Sequence, residues 1–288
     1  MAEKIINYKF KPGLRLEFEI LSIESLYKKH KNILTVPHRA EFYHVLFIRK
    51  GKSKHLINFR PVNLSSNTLL FIKKGKVHFF DTSGNIEGDL ILFTENFFCR
   101  NEDDLTFLRS TILFNDLLDN TSLRNGSSRT FFNDAIEEMK IELKNQTKEY
   151  HHEILQNLLH NFLIAAHREK RAQGFRELPK GADLDYTLLF NELIDKYFLT
   201  TKSVREYADK IHINEKRLNK ATSNILGKSP KELINERVVL EAKRLLVHTN
   251  QPIKEIAFHL GFGETTNFIK YFKTQTDSTP TEFREAHL

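Results

Sequence analysis

The sequence of 288 residues contains no run of eighteen or more apolar residues, which is about the length that a membrane-spanning helix needs. The apolar run and cleavage site of a secretory signal are also missing after Met1. One cysteine, Cys99, has no partner for an internal disulfide bond. These absences argue against a membrane protein and favour a soluble protein of the reducing cytoplasm.

The basic charge of the chain is concentrated away from its C-terminal part. The net charge is +7, yet residues 183–288 hold sixteen Lys and Arg against fifteen Asp and Glu. Residues 32–82 hold nine against two. The global charge is therefore a poor argument for nucleic-acid binding. We interpret the basic segment mainly as solvated surface, with an anionic ligand, an acidic partner or non-specific phosphate contacts as alternatives.

Apolar runs separated by turn residues occupy the first 110 residues or so. Tyr43–Ile48, Leu69–Ile72 and Leu90–Phe93 are examples, and the Gly, Asn and Ser between such runs indicate an antiparallel sandwich or barrel. From about Phe131 the apolar residues recur at helical spacing. The charged segment Arg168–Asp183 contains Gly and Pro and predicts a linker. After it, the pattern is helical throughout.

An internal repeat lies in the last hundred residues. The apolar, acidic and alanine positions of Val204–Ile213 return in Ile253–Phe262, at an offset of 49 residues. Farther on the offset is 50, because Pro230 is matched by Pro280. The second copy therefore has one extra residue in its turn.

Each copy has the residue pattern of a helix-turn-helix unit. Ala208 and Ala257 are small at the point where two helices would cross closely. Four residues later, His212 and Gly261 occupy a turn position where positive φ is usual, which glycine adopts freely and histidine tolerates. The repeat thus predicts two such units in series.

The outward face of the second helix in each unit predicts contact with DNA. Lys, Arg and Asn can bond base edges in the major groove, and Thr offers a hydroxyl or a methyl group. Solvated polar surface is the alternative for either helix taken alone. One long helix, from about Pro230 to His248, could hold the two faces about one DNA turn apart, near 34 Å. The predicted DNA-binding residues are Lys216, Arg217, Asn219, Lys220, Thr265, Thr266, Asn267 and Lys270.

These residues resemble the DNA-binding domain of the AraC/XylS family of bacterial transcription regulators. The most specific stretch is Ile253–Phe262, continued by Asn267-Phe268 and Tyr271-Phe272-Lys273. Asp277 stands where the family usually has glycine, and aspartate tolerates positive φ moderately well. The resemblance implies a sequence-specific regulator, usually a ligand-responsive activator, with operator DNA, a small-molecule effector and RNA polymerase as partners.

Given that resemblance, the N-terminal half is similar to the cupin-type β-barrel that many members carry as a sensor. Pro37–His44 followed by Gly51 resembles its first strands, and Lys74–Phe80 resembles its second signature. The expected fold class is α+β with two domains. We divide the chain into a cupin-like antiparallel barrel (1–125), a helical dimerisation or packing segment (126–171), a linker (172–182) and a DNA-binding domain (183–288) with units at about 203–225 and 253–275.

The histidines of this half allow three interpretations. Cupin enzymes bind a metal through a His-x-His pair, a carboxylate and a later His, but Arg39 and Ala40 follow His38. We therefore predict no metal and no cofactor. The histidines can instead be satisfied by their neighbours, or line a ligand pocket. Adjacent residues on one strand point to opposite faces, so Tyr43 and His44 cannot both face inward. The candidate ligand-binding residues are His38, Tyr43, His44, Phe47 and His78.

The helical stripe Ile154–Ala166 is either core packed against the barrel or a seam between two subunits. Leu155, Leu158, Phe162 and Ala165 approximate the spacing of a coiled-coil seam. In the family, helices after the barrel commonly mediate dimerisation, which implies a homodimer. Two other functions remain as alternatives: a regulator whose barrel serves only for dimerisation, and a cupin metalloenzyme. We expect no enzyme activity.

Overall fold

The computed structural model describes residues 5–11, 16–82, 85–114, 122–124, 129–175 and 181–287. The described residues from 6 to 175 form one compact unit, and those from 181 to 287 form the other. Within the described ranges, no helix combines the length and the apolar character needed to cross a membrane. The α+β class with two domains is confirmed.

A curled, barrel-like sheet forms most of the N-terminal unit. Its strands are β1 (Ile6–Tyr8), β2 (Phe18–Ser22), β3 (His38–Ala40), β4 (Tyr43–Ile57), β5 (Arg60–Ser65), β6 (Thr68–Ile72), β7 (His78–Phe80), β8 (Asn85–Phe93) and β9 (Ser122–Arg124). The helices are α1 (Ile23–Leu34), α2 (Glu95–Phe98), α3 (Glu102–Ser110), α4 (Arg129–Leu143) and α5 (His151–Ala172).

Strand β4 organises this sheet, since it pairs antiparallel with β5, β6, β7 and β8. Its fifteen residues reach all four partners because the strand curls, with an irregularity between Ile48 and Lys50 where it meets β8. The predicted antiparallel barrel is confirmed, apart from β1, which runs parallel to β3.

Both faces of β4 are buried along Tyr43–Ile48, so this part of the strand carries apolar residues at nearly every position. Tyr43, Val45 and Phe47 enter a core shared with α4 and α5. Leu46 and Ile48 enter the separate core inside the barrel. Because side chains alternate along a strand, His44 lies on the barrel side and Tyr43 on the helix side.

Helix α5 continues into the charged segment that begins at Arg168. It extends to Ala172 and ends before Gly174, whose φ is +87°. No glycine or proline interrupts the chain before that point, so the charged residues continue the helix as its solvated face.

The C-terminal unit is entirely helical in the residues that the structure describes. Its helices are α6 (Ala182–Tyr197), α7 (Val204–Lys210), α8 (Glu215–Leu226), α9 (Pro230–His248), α10 (Ile253–His259), α11 (Thr265–Thr276) and α12 (Pro280–Glu285). Pro230 and Pro280 occupy the first turns of α9 and α12. Each of these helices begins with a capping box, formed by Ser229 with Glu232 in α9 and by Thr279 with Glu282 in α12.

Candidate nucleic-acid interface and sensor site

The first helix-turn-helix unit consists of α7, a short turn and α8. Ala208 is buried where the helices cross, and His212 has the expected positive φ of 60°. Asn214 caps α8, since its side chain accepts from the Arg217 amide at 2.8 Å. Leu218 faces the core, and this orientation leaves the opposite side of α8 in solvent.

Three of the four DNA-binding residues predicted on α8 are exposed on that side: Lys216, Asn219 and Lys220. Arg217 is different, because it is half-buried against α6. Its Nη1 lies 2.5 Å from Asp183 Oδ1, and its guanidinium carbon lies 4.7 Å from the centre of the Tyr186 ring. Arg217 therefore joins α8 to α6 and is not a free contact like its neighbours.

The second unit, α10 with α11, repeats this arrangement with different residues at the turn and at the N-cap of its second helix. Gly261 has φ +78°, and an added Cβ there would lie 2.2 Å from the Leu199 carbonyl oxygen, so glycine is required. Glu264 stands at the N-cap of α11 without a side-chain cap bond. Of the four residues predicted to read DNA, Thr266, Asn267 and Lys270 are exposed and Thr265 is half-buried.

Polar contacts fix the connecting helix α9 within the unit. Arg237 donates to Asp195 of α6 at 2.7 Å and to Glu241 at 3.1 Å. Its guanidinium also lies 3.8 Å from the centre of the Phe198 ring. At the other end, Arg284 of α12 donates to the carbonyls of Leu246 and Gln251 at 3.0 and 2.6 Å. None of these long-range pairs was predicted from the sequence.

Four histidines meet inside the N-terminal barrel, of which the sequence predicted three. The ring centres of His38, His44 and His55 lie 4.5, 4.7 and 5.1 Å from that of His78. His55 Nε2 and His78 Nδ1 share a hydrogen bond at 3.1 Å. His55 was missed because it lies eleven residues beyond His44 on β4, and only the curl of that strand brings it back.

These histidines are buried and neutral. Burial, together with the nearby His38, lowers the pKa of His44 to about 3, and burial beside His38 and His44 does the same for His55. Burial also lowers the pKa of His78 well below its usual value. Among the described residues, His44 Nδ1, His55 Nδ1 and His78 Nε2 have no hydrogen-bond partner. In this part of the chain no three His, Cys, Asp or Glu side chains are arranged to hold a metal ion.

The other two predicted pocket residues lie elsewhere. Tyr43 packs against Phe93 and Phe114 in the core next to the helices, and its hydroxyl donates to Glu95 at 2.9 Å. Phe47 is buried in that same core. The five predicted residues therefore do not line one pocket, because the period of the strand sends Tyr43 and Phe47 away from the histidines.

Two cavities instead open beside strand β1 and the residues that follow it. One, of about 380 Å³, is walled by apolar residues and has cationic residues among its lining. Its apolar walls include Tyr8, Phe10, Leu21, Leu26, Phe42 and Leu92, and its cationic residues include Lys9 and Lys29. The other, of about 400 Å³, is polar and includes Glu17, Glu41, Lys74 and Glu95. Neither lining was predicted, because it depends on where the N-terminal segment lies.

The predicted dimer seam is largely core. Leu155 and Phe162 are completely buried against the sheet, and Leu158 and Ala165 pack against the same core. Leu155 and Phe162 are thus unavailable for a subunit contact. The side of α5 that faces solvent carries Ile154 and Ile164.

Comparisons with known proteins cover both units. A family model described as an AraC-like ligand binding domain matches residues 21–163, and a helix-turn-helix domain model matches residues 207–286. The HTH-type transcriptional activator RhaS of Citrobacter koseri is 21% identical over 255 residues, which cover 86% of this chain and 87% of RhaS. The bifunctional transcriptional activator/DNA repair enzyme AdaA of Bacillus subtilis is 32% identical over 106 residues, 37% of this chain and 50% of AdaA. Among solved structures, ToxT from Vibrio cholerae matches with a TM-score of 0.45 and 16% identity, over 93% of this chain and 97% of ToxT.

Proposed function

The chain belongs to the AraC family of transcription regulators, and we propose from that premise that it is an effector-responsive activator which holds operator DNA with both helix-turn-helix units. The observation that carries the proposal is the pair of exposed faces on α8 and α11, at equivalent positions of a duplicated unit joined by α9. A recognition helix reads base edges with residues near its N-terminus.

The base-reading residues that we propose are those exposed on the two faces. Lys216 and Asn219 serve in the first unit, and Asn267 and Lys270 serve in the second. Asparagine can bond adenine with both groups of its amide, and lysine can bond guanine, so the two helices can select different sequences. Lys220 and Thr266 add contacts at the same surfaces.

The effector that we propose is a small amphipathic anion bound in the cavity of about 380 Å³ beside β1. This volume lies within the usual range for small-molecule sites, and such sites are mostly apolar with a few polar groups. The apolar walls would cover the body of the ligand, and Lys9 and Lys29 would meet its charge.

The assembly that we propose is a homodimer formed through the exposed side of α4 and α5. These helices pack together and expose four large apolar side chains, Phe131, Ile141, Ile154 and Ile164. Apolar groups of this size in solvent mark interaction surfaces when they cluster. The DNA-bound dimer would act in the bacterial cytoplasm, with RNA polymerase as its further partner.

The two alternative functions differ in the role of the barrel. A barrel used only for dimerisation would leave the cavity beside β1 empty at any metabolite concentration. A cupin enzyme would need a metal site, and among the described residues the four histidines include no carboxylate partner. We therefore propose that the protein is a regulator without catalytic activity.

Selection of bound DNA from a random pool tests the DNA-binding proposal. The full chain should enrich two half-sites whose centres lie about 10–10.5 base pairs apart, the spacing of adjacent major grooves on one face. The Asn219→Ala variant should lose preference in one half-site, and Asn267→Ala in the other. Enrichment of a single half-site that both variants alter would contradict the proposal. Loss of sequence preference in both half-sites in either single variant would also contradict it.

A further inference from the structure

The ion pair between Asp183 and Arg217 is part of a group of four side chains from α6 and α8. Asp183 Oδ1 contacts Arg217 Nη1 at 2.5 Å, and Asp183 Oδ2 accepts from Asn224 at 2.7 Å. The Tyr186 ring lies beneath the guanidinium. Hydrogen bonds from Asn224 and Arg217 lower the pKa of Asp183, so its carboxylate is charged at neutral pH.

This ion pair lies at the end of α8 that would meet DNA. Arg217 is the third residue of the helix and lines a shallow recess with His212 and Asn214. Its neighbour Lys216 is exposed on the reading face. A guanidinium at this place is suited to bind phosphate or guanine, since its planar donors match both. The ion pair with Asp183 instead engages one of its nitrogens, Nη1.

Among the described residues of the second helix-turn-helix unit, there is no equivalent ion pair. Asn267 stands at the position that corresponds to Arg217 and carries no charge. The arrangement is therefore not a general requirement for packing a reading helix in this chain. It places one additional cation beside the DNA surface of the first unit and neutralises it with an acid from the preceding helix.

We propose that Asp183 is a positioning residue that holds Arg217 away from the phosphate backbone and thereby lowers affinity for DNA of unrelated sequence. The inference rests on the DNA-binding function proposed above. A cation that contacts a phosphate releases a counterion, so each such contact raises affinity for every sequence and steepens its dependence on salt. With Arg217 restrained, the exposed residues Lys216 and Asn219 contribute a larger share of the binding free energy, and selectivity rises.

The test measures binding of the full chain to random-sequence duplex DNA at 50 and 200 mM salt. One extra phosphate contact makes affinity fall about 3.5-fold further over this interval, from a slope of about 0.9 per contact. We expect this additional fall in Asp183→Asn, together with several-fold tighter binding at 50 mM. Asp185→Asn is the matched control, because Asp185 is exposed in the same turn of α6 and carries the same charge.

The double variant Asp183→Asn/Arg217→Ala separates release of Arg217 from simple loss of a negative charge. If Arg217 makes the new contact, the double variant loses the steeper salt dependence of Asp183→Asn. Equal slopes in the single and double variants, or the same gain in Asp185→Asn, would overturn the inference while leaving DNA binding intact. Failure of the unaltered chain to bind DNA would instead overturn the proposed function. A melting curve of each variant should match that of the unaltered chain, which checks that the fold is retained.

Discussion

Acid should destabilise the N-terminal unit at a pH where most proteins are still stable, because of its buried histidines. The pKa values of His44 and His55 are about 3 in the folded protein, compared with 6.5 for an unperturbed side chain. The unfolded chain therefore binds protons that the folded chain does not bind between pH 6.5 and 3. Stability is fully present above this window and falls as the pH decreases through it.

The expected magnitude follows from these two groups. Within the window, each of the two histidines lowers the free energy of unfolding by about 1.4 kcal/mol per pH unit. At pH 5 each has therefore removed about 2 kcal/mol of stability. Together they remove about 4 kcal/mol, a large part of the 5–15 kcal/mol that stabilises a typical domain. For a unit of this size, 1 kcal/mol corresponds to about 2–4 °C in Tm, so the midpoint should fall by about 10 °C. Carboxylates with lowered pKa values, such as Glu95, reduce stability only at lower pH.

Differential scanning calorimetry between pH 5 and 8 provides the measurement. Replacing His44 with phenylalanine keeps an aromatic ring beside Phe42 and His78 but removes one titrating group. The pH dependence of the free energy of unfolding should then decrease by about 1.4 kcal/mol per pH unit. His30→Gln is the control, because His30 is exposed on α1 of the same unit. A midpoint that stays constant from pH 8 to 5, or an unchanged slope in His44→Phe, would refute the reasoning.

Three further predictions concern the packing of the helix crossing, the recognition of bases and the assembly of the dimer. Ala257→Leu should lower stability by roughly 1–3 kcal/mol through overpacking of the buried helix crossing, and calorimetry that shows no change would contradict the crossing. Lys216→Ala or Asn219→Ala should cost roughly 1–3 kcal/mol at its own base position, measured by titration of operator variants; equal losses on random DNA would indicate phosphate contacts. Ile164→Glu should shift the protein to monomer in sedimentation experiments, while Phe162→Ala should instead destabilise the fold by roughly 3–5 kcal/mol; an unchanged dimer in Ile164→Glu would exclude this face.

The helix-turn-helix units were predictable because their signals are local. The proline at the start of a helix, the small residue at the crossing and the positive φ at the turn all lie within a few residues of what they determine. His212, Gly261 and Asp277 have φ values of 60°, 78° and 60°, as the pattern required. A duplicated local pattern is stronger still, because each copy tests the other.

The features that the sequence did not predict depend on residues far apart in the chain. Arg217 is a residue type that commonly contacts DNA, and it lies near the start of a predicted DNA-reading helix. It is nevertheless paired with Asp183, which lies 34 residues earlier in the chain. Leu155 and Phe162 have the spacing of a seam, but the same spacing serves a helix packed on a sheet. Periodicity shows which face of a helix is apolar and not what covers that face.

The near neutrality of the C-terminal unit gives these long-range pairs a functional consequence. Non-specific affinity for DNA comes mainly from phosphate neutralisation, and residues 183–288 have only one more basic than acidic residue. Part of that basic charge is already paired within the fold, as Arg237 is with Asp195 and Arg217 is with Asp183. Each such pair reduces the positive charge that is left to hold a random sequence. We therefore expect base contacts by both reading helices at once to supply a large share of the affinity, so a change that misplaces either helix should abolish tight binding.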